Sequence, residues 1–254
     1  MNKQELDFII KENIHISPMY SLMKISPTKG KLPEIAPGQF VQVEVPNSKT
    51  TFLRRPISVN FVDYEANELW LLVRKAGEGT SHLISLPANT VINLVLPLGN
   101  GFTVERKGHG LLIGGGVGVA PLLQLGKVMK AKGVDFSFLL GARSAADLLE
   151  LEMFKQYATV HVSTEDGSLG EKGFVTQHSA LAAHVDFIAC CGPQPMMKAV
   201  AKIAKEKDID CEVSLENTMA CGLGACLCCV EDTTEGNVCV CKEGPVFNTK
   251  KLKW

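Results

Sequence analysis

Residues Cys221 to Cys241 read CGLGACLCCVEDTTEGNVCVC and hold six of the nine cysteines in this 254-residue chain. Cys221, Cys226 and Cys229 are separated by four and then two residues, and Cys241 follows after eleven more. Zinc ribbons use close pairs of cysteines with short spacers. A four-then-two spacing with a distant fourth cysteine is that of a plant-type two-iron, two-sulfur (2Fe-2S) cluster. Gly222 and Gly224 suit a loop that must wrap closely around an inorganic core. Structural zinc is the competing reading of the same thiolates. Cys228 adjoins Cys229 and Cys239 lies two before Cys241, so spacing leaves the ligand set partly open. Strict spacing favours Cys229 over Cys228.

Working outward, the composition is that of an ordinary globular protein, with 46% apolar and 21% charged residues and a formal net charge of −1. No basic excess points to nucleic acid or to an anionic membrane surface. The apolar runs near Leu111 and Ile188 are too short to span a bilayer. The opening residues MNKQELDFIIKEN are charged and lack the pattern of a secretory signal. A reducing, cytoplasmic location is therefore expected, where thiolates hold metal rather than pair as disulfides. The length allows two domains and a small appendage, and the expected division is 1–103, 104–210 and 211–254.

Residues 1–103 read as all-β. Apolar or alternating runs recur at FVQVEV, RRPISVNFV, ELWLLVRK and VINLVLPLG, broken by turn clusters, with one short helix near Thr80–Leu86. Such a pattern predicts a small antiparallel barrel. Pro56 lacks a ladder donor, which places RRPIS at an edge or bulge. An arginine beside a serine there suits phosphate and ring-edge recognition. Gly79 and Thr80 after Leu72-Val73-Arg74 open a helix and could form an anion site. A surface arginine and an ordinary helix cap are the plainer alternatives.

From Leu111 strands and helices alternate. LLIGG, FSFLLGAR, TVHVS and DFIACC read as strands, with VAPLLQLGKVMKAK, ADLLELEMFKQY and PMMKAVAKIAKEK as helices. This is a doubly wound parallel sheet whose first turn, Gly114, Gly115, Gly116 and Gly118, could approach a pyrophosphate. Close helix–strand packing explains the same glycines without a ligand. Cys191-Gly192-Pro193 follows a strand at the sheet's carboxyl edge, where such folds bind ligands. CEVSLE is expected to be the last strand.

Together RRPIS, the strand ending in Arg74, GEGT and PLGNGF resemble the flavin barrel of the ferredoxin–NADP reductase superfamily. The resemblance implies FAD contacts at Arg55, Pro56, Ile57, Ser58, Leu72, Val73, Arg74, Gly79 and Thr80. It also implies NAD contacts at Gly114, Gly115, Gly116, Gly118, Cys191, Gly192 and Pro193, with Cys191 beside the nicotinamide as a positional group. Relatives that use NADPH place serine and arginine after the third strand, where this chain has Glu165 and Asp166. Acidic residues there repel a 2′-phosphate and favour NAD, although Arg143 lies nearby.

GGGVGVAPL, DGSLGEKGFVT, CGPQPM, SLEN-x-MACGLGAC and GPVF, in that order, narrow the resemblance to the electron-transfer subunits of type B dihydroorotate dehydrogenases. In that subfamily the cysteine before GPVF is the fourth ligand, which implies Cys221, Cys226, Cys229 and Cys241 as cluster ligands. Cys228 and Cys239 then fall to packing, and Cys190 and Cys211 to core strands. Lys242-Glu243 stands where relatives often have an aspartate before the glycine. The resemblance implies FAD, a 2Fe-2S cluster and NAD, a role in pyrimidine (UMP) biosynthesis, and a separate FMN-containing catalytic subunit in a two-plus-two heterotetramer. Electrons would pass from that subunit through the cluster and FAD to NAD⁺. One alternative is a subunit of an NADH-dependent ferredoxin–NADP reductase, a family that replaces one cluster cysteine by aspartate. An oxygenase reductase with a full ferredoxin domain is a poorer fit, because too few residues follow Cys211. A non-enzymatic zinc scaffold is the third.

Overall fold

The computed structural model describes residues 3–254, which divide into two compact units. The first comprises the chain up to Gly101 together with Asn217–Glu231 and Val238–Pro245. The second comprises Phe102–Glu216, Asp232–Asn237 and Val246–Trp254. Residues 217–231 and 238–245 of the tail thus belong to the first unit and the rest of it to the second. Among the described residues no helix is long and apolar enough to cross a membrane.

The first unit contains strands β1 (Gln4–Ser17), β2 (Tyr20–Pro27), β3 (Phe40–Val43), β4 (Arg55–Asp63) and β5 (Glu68–Arg74), helix α1 (Glu78–Ser85) and strand β6 (Val91–Leu98). They close a barrel in the order β1-β2-β5-β4-β3-β6, with β6 pairing back onto β1. Alternate residues point inward and fill it, including Phe8, Ile10, Met23, Val41, Val59 and Leu71. Each such large side chain contributes about 1.5–3 kcal/mol by leaving water. The β1–β2 hairpin is an addition to the four expected strands. In β1 only Phe8 and Ile10 are buried, so its charged, exposed majority hides the strand pattern.

In the second unit, β7 (His109–Gly115), α2 (Ala120–Ala131), β8 (Asp135–Ala142), α3 (Leu151–Lys155), β9 (Val160–Thr164), β10 (Glu171–Lys172), β11 (Phe187–Cys191), α4 (Gln194–Glu206) and β12 (Asp210–Ser214) follow in turn. The tail adds the hairpin β13 (Val230–Thr233) and β14 (Gly236–Cys239), the single turn α5 (Val240–Glu243) and β15 (Val246–Asn248). The main sheet runs β10-β9-β8-β7-β11-β12-β15. It is parallel except for β15, which pairs antiparallel with β12, Val213 opposite Phe247. CEVSLE is therefore not the last strand, because the valine and phenylalanine of GPVF zip onto its open edge.

Helix α4 buries Met197, Val200, Ala201 and Ala204 at three- and four-residue spacing, and Pro195 sits in its first turn. Helix α3 is shorter than ADLLELEMFKQY predicts. Glu150 takes φ = 53°, a left-handed backbone that a continuous helix cannot pass through, so only Leu151–Lys155 remains helical.

Candidate functional site

Three groups of residues singled out in the sequence are brought together locally. In the loop after β12, Gly222 and Gly224 take φ of 69° and 82°, the left-handed region in which glycine carries no penalty. The loop folds its amides onto its own sulfurs. Leu223 N–H donates to Cys221 Sγ at 3.3 Å, and Gly224 N–H to Cys241 Sγ at 3.1 Å. Cys241 N–H lies 3.4 Å from Cys229 Sγ. Cys226 lies beside Cys221, and Cys229 beside Cys241, within one group of interacting thiols that Cys239 also joins.

Burial opposes ionisation at Cys221, but the N–H groups of Leu223, Cys226 and Ala225 and the Cys226 thiol outweigh it, bringing the thiol down to about 6. Burial first, and then Cys229, push Cys241 up to about 12. Four thiolates on one loop and the turn after it are the number that two irons with two thiolates each require. Cys228 is exposed, and Cys239 Sγ lies 3.9 Å from the Gly224 carbonyl. The PLGNG segment has its own part here. Asn100 Nδ2 donates to the carbonyls of Lys242 (3.2 Å) and Glu243 (2.9 Å), fixing the turn that carries Cys241.

On the barrel, β4 and β5 pair from Asp63–Glu68 to Val59–Leu71 and no further. Arg55–Ser58 then pairs with β3 alone, and Leu72–Arg74 with β2 alone. The two strands part at the expected flavin-contact segments, so the backbone edges of both are open to another hydrogen-bonding molecule. The neighbouring arginines differ. Arg54 is tied to Asn93 (2.6 and 2.9 Å) and Glu5 (2.9 Å). Among the described residues Arg55 reaches only the carbonyls of Leu53 and Arg54, and it lines a cavity of about 380 Å³ with Thr51, Leu53, Glu78 and Gly79. Thr80 caps α1, its hydroxyl accepting from Ala76 N–H at 2.8 Å and Gly77 N–H at 3.1 Å.

On the sheet, the turns after β7 and β11 meet. A Cβ on Gly118 would lie 2.5 Å from Gly192 Cα and backbone N, so Gly118 cannot carry a side chain without moving that backbone. Packing alone thus accounts for Gly118. The Cys191 thiol is buried and directed to the Ser214 carbonyl at 3.7 Å, and burial first, then Glu216, raises its pKa far above the usual range. Glu165 and Asp166 are exposed after β9 and hydrogen-bonded through their N–H groups to Ala142 and Arg143. Hydrogen bonds from Ser168 hold the Asp166 carboxyl below its usual range despite some desolvation.

Sequence reasoning missed Gln42, which is fully buried on β3 with neither side-chain amide atom partnered. A Cβ on Gly222 would sit 2.7 Å from its Cγ and 2.8 Å from its Nε2. Within FVQVEV it reads as an ordinary polar position of an alternating strand, and a buried outer face cannot be told from a solvated one without the loop that covers it.

Comparison with known proteins follows this division. Residues 216–253 match the iron–sulfur cluster binding domain of dihydroorotate dehydrogenase B, and residues 112–202 the oxidoreductase NAD-binding domain. The chain is 40% identical to the dihydroorotate dehydrogenase B (NAD(+)) electron transfer subunit of Bacillus velezensis, over 85% of this chain and 86% of that one. It is 38% identical to the Clostridium perfringens subunit of the same name, over 96% of each. A solved NADH-dependent reduced ferredoxin–NADP oxidoreductase superposes with a TM-score of 0.87 at 29% identity, covering 97% of this chain and 89% of that one.

Proposed function

This chain belongs to the dihydroorotate dehydrogenase B (NAD(+)) electron transfer subunit family, and from that premise we propose that it carries electrons from a separate dihydroorotate-oxidising subunit to NAD⁺. The observation that carries the reading is a loop whose N–H groups turn onto the sulfurs of Cys221, Cys229 and Cys241, inside the segment that matches the family's iron–sulfur domain. When bound, a two-iron cluster exchanges single electrons, NAD⁺ accepts a hydride, and a flavin exchanges electrons either way and so connects the two.

The chain's own residues supply binding and orientation. Cys221, Cys226, Cys229 and Cys241 would hold the cluster, with the N–H groups of Leu223 and Gly224 directed at its thiolates. The parted edges at Arg55, Pro56, Ile57 and Ser58 and at Leu72, Val73 and Arg74 would receive FAD. Arg55, free of the anchoring that fixes Arg54, would neutralise the diphosphate beside Gly79 and Thr80. Gly114–Gly118 and Cys191–Pro193 would cradle NAD, with Gly116 left for the pyrophosphate and the buried Cys191 holding the floor of the site. Glu165 and Asp166 favour a free ribose diol over a phosphate.

The partner is an FMN-containing catalytic subunit in a two-plus-two assembly, working in pyrimidine biosynthesis in the cytoplasm. The reading is tested by co-purifying the chain anaerobically with a type B catalytic subunit and assaying NAD⁺ reduction by dihydroorotate. NADH formation is expected; flavin and iron without NADH formation would sink the reading. The structural likeness to the ferredoxin–NADP oxidoreductase favours a second reading, in which ferredoxin and NADP(H) replace dihydroorotate. Reduction of ferredoxin by the same preparation would select it.

A further inference from the structure

Two glutamines belong to the β3 region, and both are buried to within 1% of complete. Gln39 is satisfied at both ends, its Nε2 donating to the Gly99 carbonyl at 2.7 Å and its Oε1 accepting from Ala36 N–H at 2.7 Å. Gln42 is satisfied at neither. Leucine or methionine would fill the same volume without an unpaired amide, and buried amides are ordinarily partnered.

The side chain's direction is fixed. Val41 and Val43 belong to the barrel core, so alternation turns Gln42 outward, on the face it shares with its cross-strand neighbour Pro56. That face is covered by the cysteine loop, with Gly222 against Cγ and Nε2. Pro56 has no N–H to offer. The amide nitrogen therefore faces the backbone between Cys221 and Leu223, the residues whose thiol and N–H are already joined.

We propose that the Gln42 carboxamide donates a hydrogen bond from the barrel wall to a sulfur of the two-iron cluster, and so helps set the cluster's reduction potential. The inference rests on the electron-transfer reading above. Cluster sulfurs are acceptors only, so they match the Nε2 end, which is the end beside Gly222. The hydrogen bonds made by Leu223 and Gly224 come from the loop itself and end on thiol sulfurs; Gln42, which meets none of those thiols, would donate from a different element to a sulfur that the bound cluster brings. A donor of this kind stabilises the more negative, reduced cluster, and its loss lowers the potential.

The test uses the complete chain with iron, sulfide and flavin bound, and compares wild type with Gln42→Leu and Gln42→Met, which keep the volume and remove the N–H donor without adding charge. EPR-monitored redox titration should show a lower cluster potential in both variants, with the flavin potential unmoved. An unmoved cluster potential, or a shift confined to the flavin, overturns the proposal. In wild type labelled with ¹⁵N at glutamine side-chain amides, pulsed EPR of the reduced cluster should show a nitrogen coupling. Its absence overturns the proposal even where a variant fails to take up iron. A wild-type chain that binds no iron and sulfide fails the electron-transfer reading itself, before Gln42 is reached.

Discussion

The three strand cysteines and Cys221 have opposite chemistry, while Cys241, in the same segment as Cys221, is raised like the strand thiols to about 12. Cys190, Cys191 and Cys211 lie in the buried strands β11 and β12, where desolvation raises all three pKa values, Cys211 to about 12. Cys221, on the loop that follows, is brought down to about 6 by amides that surround its sulfur. Residue type therefore decides little. What differs is whether the backbone around the sulfur is spent on a sheet ladder or left free to point inward. In β11 and β12 the N–H groups are used between strands. In the loop, left-handed residues at Gly222 and Gly224 turn them towards the thiols.

The largest expected effect breaks this comparison outright. Cys226→Ser removes one member of a thiol pair and should abolish both iron retention and dihydroorotate-dependent NADH formation in the reconstituted complex. Activity at the wild-type level would place the ligands elsewhere. A second contrast appears when the iron is stripped from the chain. A thiolate is the reactive form, so Cys221 should alkylate increasingly as pH rises through about 6 and then level off. Cys190 and Cys191 should stay unmodified in the folded chain to well above neutral pH, and site-resolved mass spectrometry would separate the two groups.

Smaller effects sharpen the same contrast. Cys190→Ser puts a hydroxyl into an apolar strand position and should cost about 1–3 kcal/mol in denaturant unfolding, with iron content unchanged. Gly118→Ala forces a Cβ against the Gly192 backbone and should cost a similar amount, about 1–3 kcal/mol, with weaker NAD binding measured by calorimetry. Cys228→Ser, at an exposed position, should shift stability by no more than about 0.5 kcal/mol and leave iron in place. Iron loss there would make Cys228 the ligand instead of Cys229.

What the sequence made legible follows from how local each signal is. The cysteine spacing, the barrel runs from Phe40 onward and the alternation after Leu111 are contained in short windows, and the fold class and family could be reached from them. The β1–β2 hairpin could not, because its core contribution is two residues in a charged strand. The short α3 depends on one left-handed residue, Glu150, that no propensity marks. β15 is three residues long and is a strand only because β12 offers it an edge. At the site, Arg54 and Arg55 are equal in sequence and are distinguished only by what Asn93 and Glu5 hold. Gln42 acquires its meaning from a loop roughly 180 residues later in the chain, a separation over which no sequence window reports.

The central claim is that residues 221–241 hold a two-iron cluster. The most direct measurement is iron, zinc and inorganic sulfide analysis of the anaerobically purified chain, with EPR after reduction. The account predicts about two irons and two sulfides per chain and one spin-half signal. Zinc without sulfide, and no signal, would contradict it.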